Sequence, residues 1–299
     1  MSEIRKLPAS AGAEWLLAGF ALLRKAPLGL GALGMLWAAG ALLLTAIGAT
    51  VPVLALPAQL VMALAGPLAF GGLVWAAREV DLGRPAQPGH LLQGLHDGRA
   101  PHLLVALLPQ LIAGVVLGIL LLLLIGSQGL SQLSEVMTRL NEISQSGAAA
   151  SPAEMEALAA SLPAGRILLW LLCVLAVFIA VALALFTLSP QVMFEQRGGW
   201  QSLQLSLRGC LHNVLPMLVF FLLAFVAVFA VYFLVMIVAM VAQLIGGAML
   251  ALFAAQLLFM GVLMPVFAGA VYSAWKQMFG DLAEPPALPQ HNPSSVFHA

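Results

Sequence analysis

Five polar side chains fall inside otherwise apolar runs: Gln59, Gln110, Thr187, Gln243 and Gln256. An amide or hydroxyl left there without a partner costs roughly 1–3 kcal/mol. Such a side chain therefore hydrogen-bonds between helices or, with others, lines a polar cavity suited to an uncharged solute. His90, His96 and His102 recur six apart. A helical metal pair takes i,i+4 spacing, as in HExxH, which is absent here; the spacing points to solvated or interfacial histidines. Ser189, His212 and Asp97 are the residue types of a hydrolytic triad, but no GxSxG surrounds the serine, and neither a P-loop nor a CxxC occurs. Cys173 lies in an apolar run and Cys210 beside a basic segment, so both read as unpaired, small packing residues. The glycines cluster inside apolar runs, which favours packing over phosphate binding. No catalytic, cofactor-binding or metal-ligating residue is assigned, and no cofactor.

The elements that must hold these residues are membrane helices. The 299-residue chain is 62% hydrophobic and 8% charged, with a mean hydropathy of +1.04. Soluble domains carry about 25% charged residues. Residues 209–274 contain no Asp, Glu, Lys or Arg, and neither do residues 26–77. A bilayer core needs only about 20 apolar residues as helix, so each stretch must fold back. Gly48, Pro52 and Pro57 signal the first turn; Gln243 and the Gly246-Gly247 pair signal the second. The expected architecture is all-α and polytopic, with six spans at about 27–49, 54–77, 102–126, 166–190, 212–242 and 246–275. Arg24 and Lys25 precede an apolar run with small residues near Ala55, as in a secretory signal. The run is long enough to span, so a retained first helix is expected. The Ala/Leu/Gly-rich composition suits a GC-rich bacterial genome.

Between the spans, Trp15, Leu16, Phe20 and Leu23 share one side of a helix starting near Ser10, read as interfacial. Leu91, Leu92 and Leu95 allow another short interfacial helix. Gly114 and Gly118 are spaced for close helix approach. In the outer loop 127–165, Leu130, Leu133, Met137, Leu140 and Ile143 recur at helical spacing. Ser151-Pro152-Ala153-Glu154 then starts a second helix, expected over 152–162, with a capping box. Gly147-Ala-Ala-Ala joins the two. Trp200, Leu203, Leu207 and Cys210 fit a helical stripe, preferred over a strand because an open strand at a membrane surface leaves backbone groups unpaired. The Pro-rich tail, 281–299, is expected to be disordered. Residues 1–280 read as one integral membrane domain.

Charge orients the chain. With both termini on one side, that side holds Arg5, Lys6, Arg24, Lys25, Arg78, Arg84, Arg99, Arg197, Arg208 and Lys276. The other holds Arg139 and Arg166. The richer side is expected to be cytoplasmic. The zero formal net charge gives no general attraction for nucleic acid. Membrane lipids are the expected partners, with a protein partner or a homo-oligomer beside them.

An amphipathic stretch, a basic residue, a Pro and a helical hairpin recur in that order. Trp15…Arg24-Lys25-Ala26-Pro27 compares with Leu91…Arg99-Ala100-Pro101 and with Trp200…Arg208…Pro216. Pro67 and Pro265 stand equally far before Arg78 and Lys276, while Pro190 departs from that spacing before Arg197. Three parallel hairpin units are expected. With this layout the chain resembles a group of uncharacterised bacterial inner-membrane proteins, and is similar to the membrane domain attached to some glycerophosphodiester phosphodiesterases. The resemblance covers most of 10–280. It implies an integral inner-membrane protein and carries over no catalytic residue. The expected function is non-enzymatic lipid or protein interaction in the envelope. The alternative is a transporter or channel for a small uncharged solute, marked by convergence of Gln59, Gln110, Gln243 and Gln256.

Overall fold

The computed structural model describes residues 4–146 and 151–280. The expected tail at 281–299, the joint at 147–150 and the Glu154 side chain of the capping box lie outside what it describes. The described residues are helical, with no strand among them. Five helices are long and apolar enough to cross a membrane: Pro27–Thr50, Pro52–Asp81, Ala100–Gln145, Ala164–Glu195 and Val214–Phe279. The chain divides into two compact units, Met1–Leu107 with Ala184–Ala299, and Leu108–Leu183.

The first unit contains α1 (Ala11–Lys25), α2 (Pro27–Thr50), α3 (Ala55–Asp81) and the short α4 (Gln93–His96) and α5 (Ala100–Leu104). It also contains α9 (Leu188–Glu195), α10 (Gly199–His212) and α11 (Val214–Phe279). Between them in the chain run α6 (Leu107–Ser146), α7 (Pro152–Ala160) and α8 (Ala164–Leu185). Within α11, Gly247 has the non-helical angles φ 76° and ψ −174°, a region essentially reserved for glycine. Val231 and Val235 share a buried cluster with Leu263. Along one straight helix Val231 and Leu263 would stand about 48 Å apart at 1.5 Å per residue. So α11 doubles back at Gly247, at the glycine pair expected to form the turn.

Burial in this unit is lopsided. In α2 the buried residues are Leu30, Gly31, Leu33, Gly34 and Ala38, all in its first half. In α3 they concentrate from Ala69 to Val80, while Val53, Leu56, Leu60 and Val61 near its start are exposed. The core thus gathers at the end where the charged residues lie. Helix α1 packs there against both arms of α11. A Cβ on Gly12 would overlap the Pro216 carbonyl and come within 2.7 Å of the Phe220 nitrogen. One on Gly19 would overlap the Val266 carbonyl. Absent side chains are what let these backbones meet. Trp15 is fully buried, its ring 6.1 Å from Phe220 and 6.0 Å from Phe186, and its Nε1 donates to Gln277 Oε1 at 2.8 Å. This corrects the interfacial reading of Trp15: the indole is core, because glycines on either side of it bring α11 over its face. Phe20 and Leu23 are only half-buried.

Pro190 gives a second correction. The helix expected to end near it ends at Leu185, and Pro190 sits in the first turn of the separate α9. A proline ring clashes with the carbonyl four residues back, here Phe186, and donates no N–H. Breaking the chain at 186–187 puts Pro190 where the N–H has no helical partner anyway. Pro67 and Pro265, by contrast, remain inside α3 and α11.

In α10 the helix preference holds, but the inward stripe is Gly199, Ser202, Leu203, Ser206, Gly209 and Cys210. Trp200 and Leu207 of the expected stripe face out. Small side chains let α10 approach its neighbours, and large ones would not fit.

In the second unit, α6 breaks at Gly126, with φ 71° and ψ 171°, where the third span was expected to end. Beyond the break, Val136 is buried and Met137 exposed, so Val136 takes the inward place expected for Met137. Val136 and Arg139 line one cleft of about 380 Å³ with Ala157 and Leu158 of α7 and Ser161 just after it. The expected second helix is present over Pro152–Ala160. Trp170 of α8 donates its Nε1 to the Leu117 carbonyl of α6 at 3.1 Å.

Candidate functional site

The polar residues of the first unit converge around α9, not around the glutamines singled out by sequence. Gln59 and Gln243 are exposed and Gln256 is half-buried. Gln59 lines a cleft of about 480 Å³ between α2 and α3 with Thr45 and Met62, among others, and neither Gln243 nor Gln256 reaches it. Gln110, in the second unit, is exposed as well. Of the five, only Thr187 is fully buried.

Thr187 begins a buried polar seam. Its N–H donates to Ser206 Oγ at 2.9 Å, and its Oγ1 accepts from Gln191 Nε2 at 3.0 Å. The chain break before α9 frees that N–H, and α10 supplies the hydroxyl that receives it. Gln191 and Ser202 are fully buried; Gln191 Oε1 and Ser202 Oγ make no hydrogen bond with the described residues. Next to the seam, burial pushes the Cys210 thiol up to about 12, against a hydrogen bond with Ser206. Cys210 and Cys173 are both free.

At its C-terminal end α9 meets Arg99, whose Nη1 donates to the carbonyls of Val192 at 2.7 Å and Met193 at 2.6 Å. These belong to the last four carbonyls of the helix, which have no helical partner, and the cation also faces the negative end of the helix dipole. Helix α9 then stops at Gln196 in the left-handed conformation, φ 55°. Glu195 pairs with Arg197 and accepts the Trp275 Nε1–H at 2.7 Å.

A second cluster joins α1, α3 and α11. Asp81 accepts from Lys276 Nζ and from the Tyr272 hydroxyl, each at 3.0 Å, with Lys25 Nζ 3.9 Å away. The Arg78 guanidinium lies over the rings of Trp75 at 5.5 Å and Phe194 at 4.9 Å, a favourable cation–π geometry. Glu79 pairs with Arg84. Asn213, 2% exposed, accepts the Leu7 N–H at 2.8 Å and donates to the carbonyls of Arg5 and Gly209, both at 3.0 Å. It pins the N-terminal segment to α10.

The remaining candidates separate. His90 Nδ1 accepts the Gln87 N–H at 3.2 Å, and His102 Nδ1 the Gly199 N–H at 3.4 Å, while His96 is exposed. Burial lowers the His90 pKa, opposed by the nearby Glu79 charge. Ser189 is buried in α9, whereas His212 and Asp97 are exposed. Among the described residues no group of three His, Cys, Asp or Glu is placed to hold a metal ion. Sequence reasoning missed Gln191, Ser202, Ser206 and Asn213. The usable signal was a polar i,i+4 stripe, Ser202 and Ser206, on a helix otherwise read by its large apolar residues.

The arrangement can brace helix ends and hold polar backbone inside a packed core. No known family model, curated protein or solved structure matches the chain.

Proposed function

We propose that the chain is a multi-pass, non-enzymatic protein of the bacterial cytoplasmic membrane that engages lipid or a protein partner. The lopsided burial of the first unit carries this reading. Its charged helix ends are braced into a core, while the far ends of α2, α3 and the α11 arms present bare apolar side chains, as a hydrocarbon solvent demands. Counting the arms of α11 on either side of Gly247 separately gives six spans. The Lys/Arg asymmetry supports cytoplasmic termini.

Kinship with the uncharacterised inner-membrane group, and a threefold hairpin repeat, are parts of the same proposal. Pro67 and Pro265 inside the return helices support a match of the first hairpin with the last; Pro190 in its own helix weakens it for the middle one. Topology reporters test the reading. A fusion after Ala150 should read as exported and one after Ala299 as cytosolic; the reverse pattern would sink it.

A carrier for a small uncharged solute is the second reading. Exposure of Gln59, Gln110 and Gln243 removes the mark expected for it. What favours it is the broken α8–α9 junction with Gln191 Oε1 and Ser202 Oγ unsatisfied beside it, since broken helices line substrate sites in transporters.

A further inference from the structure

We infer that the elbow between α1 and α2 is a binding site for one anionic glycerophospholipid, with an acyl chain in the groove and the phosphate on Arg24. This rests on the membrane reading above and adds the class of lipid and its place. Helix α1 ends at Lys25, Ala26 leaves helical geometry with φ −138° and ψ 62°, and α2 starts at Pro27. The bend leaves a groove of about 580 Å³ lined by Leu17, Phe20, Ala21, Leu23, Arg24 and Pro27. Leu17, Phe20, Ala21 and Arg24 stand at helical spacing on one stripe of α1. The opposite stripe, Trp15, Gly19 and Leu22, is the one buried in the core. Leu17 is 66% exposed, and Leu28 just beyond the elbow 88%.

The charge in the groove is uncommitted, unlike its neighbours. Lys25 and Lys276 share Asp81, Arg84 pairs with Glu79, Arg197 pairs with Glu195, and Arg99 holds the end of α9. Arg24 is exposed and makes no ion pair or hydrogen bond among the described residues. A guanidinium forks two phosphate oxygens with parallel N–H donors, and the apolar lining next to it takes hydrocarbon. A free phosphate compound would leave the lining wet, and a zwitterionic lipid offers the phosphate but sets its own ammonium against the guanidinium. An anion carrying an acyl chain satisfies both.

Native mass spectrometry of the full chain in mild detergent tests this, with dioleoyl phosphatidylglycerol and dioleoyl phosphatidylcholine as probes. The first phosphatidylglycerol should bind roughly five- to tenfold better than phosphatidylcholine, about the effect of one cation near a membrane surface. Arg24→Gln should abolish that preference, whereas Lys6→Gln and Arg208→Gln should keep it. Leu17→Gln should weaken both lipids. Equal binding of the two lipids by the native protein, or an unchanged preference in Arg24→Gln, overturns the inference. Displacement of the lipid by millimolar glycerol phosphate alone also overturns it, because the groove would then contribute nothing. Carbonate washing of membranes keeps the two failures apart. Protein that stays in the membrane without lipid preference defeats only this site; protein that washes off defeats the membrane reading itself.

Discussion

Gly12 and Gly19 in the first unit, and Gly114 and Gly118 in the second, stand at helical spacing in apolar helices, yet the two units treat them oppositely. Gly12 and Gly19 are closed over by the backbone of α11. Nothing lies within 4 Å of where a Cβ on Gly114 or Gly118 would be. The residues around them differ in the same way. Trp15 and Leu16 beside the first pair are buried, while Leu111, Ile112, Val115 and Ile119 around the second are exposed. Glycine spacing permits close approach, but a partner is needed to use it. Helix α1 has one in the α11 hairpin, which turns at Gly247 and receives it with both arms. The expected contact face at Gly114 and Gly118 meets no partner among the described residues.

Substituting the two pairs gives the largest effect. Gly12→Ala and Gly19→Ala should each destabilise by about 1–3 kcal/mol, the usual range for overpacking, because the atoms met are backbone and cannot turn aside. Gly114→Ala and Gly118→Ala should leave stability level or raise it by up to about 1 kcal/mol through helix propensity. Thermal unfolding in detergent, read by loss of helical circular dichroism over the whole chain, ranks all four. Equal losses in both pairs would mean that the second pair also has a close partner, and the contrast would disappear.

A smaller effect separates braced helix ends from bare helix faces. Asn213→Leu should cost about 1–2 kcal/mol, since the Leu7 N–H and the carbonyls of Arg5 and Gly209 lose this partner at a partly buried site. Arg99→Gln should cost about 1–2 kcal/mol, through lost charge-assisted hydrogen bonds at the α9 terminus. Gln110→Leu, on an exposed face of the second unit, should change little. The same unfolding measurement compares them, and a Gln110→Leu loss as large as that of Asn213→Leu would show an interhelical contact in the second unit.

The elements were legible in the sequence because their signals are local. A glycine marks two of the breaks, at Gly126 and Gly247, and charge-free runs mark the long helices. The α10 helix and the Pro152–Ala160 helix follow from spacing and from the Ser-Pro start. The site was not legible, because it depends on which faces meet. The glutamines drew notice as large polar groups in apolar runs, but a long side chain at a helix surface can stay exposed. Short Ser and Thr side chains fit between close backbones, as Thr187 and Ser206 do. In the sequence Arg99 is a charge that orients the chain and a marker of the repeat; that it reaches the carbonyls of Val192 and Met193 depends on a contact about ninety residues away in sequence. The helical spacing of Trp15, Leu16, Phe20 and Leu23 and the preference of Trp for interfaces point to a membrane surface; that α11 covers the indole instead depends on the close approach at Gly12 and Gly19.

The smallest expected effect is a pH response confined to one unit. Residues 108–183 contain no histidine, so titration between pH 5.5 and 7.5 should act through the first unit. His90 sits in the turn Pro88–Leu92, where its Nδ1 accepts the Gln87 N–H, which an imidazolium cannot do. Burial lowers its pKa below the ordinary 6.5 despite the Glu79 charge. The unfolded chain therefore takes up the proton first as pH falls. The contribution of this turn is complete above about 6.5, the unfolded value, shrinks as pH drops below it, and is gone beneath the folded pKa. Amide exchange over 87–92, corrected for its intrinsic pH dependence, should lose protection from pH 7.5 to 5.5, with no change over 108–125. His90→Gln supplies an acceptor that does not titrate and should flatten the response. If exchange over 108–125 changes as much, or if His90→Gln responds like the native chain, the difference between the units does not extend to protonation.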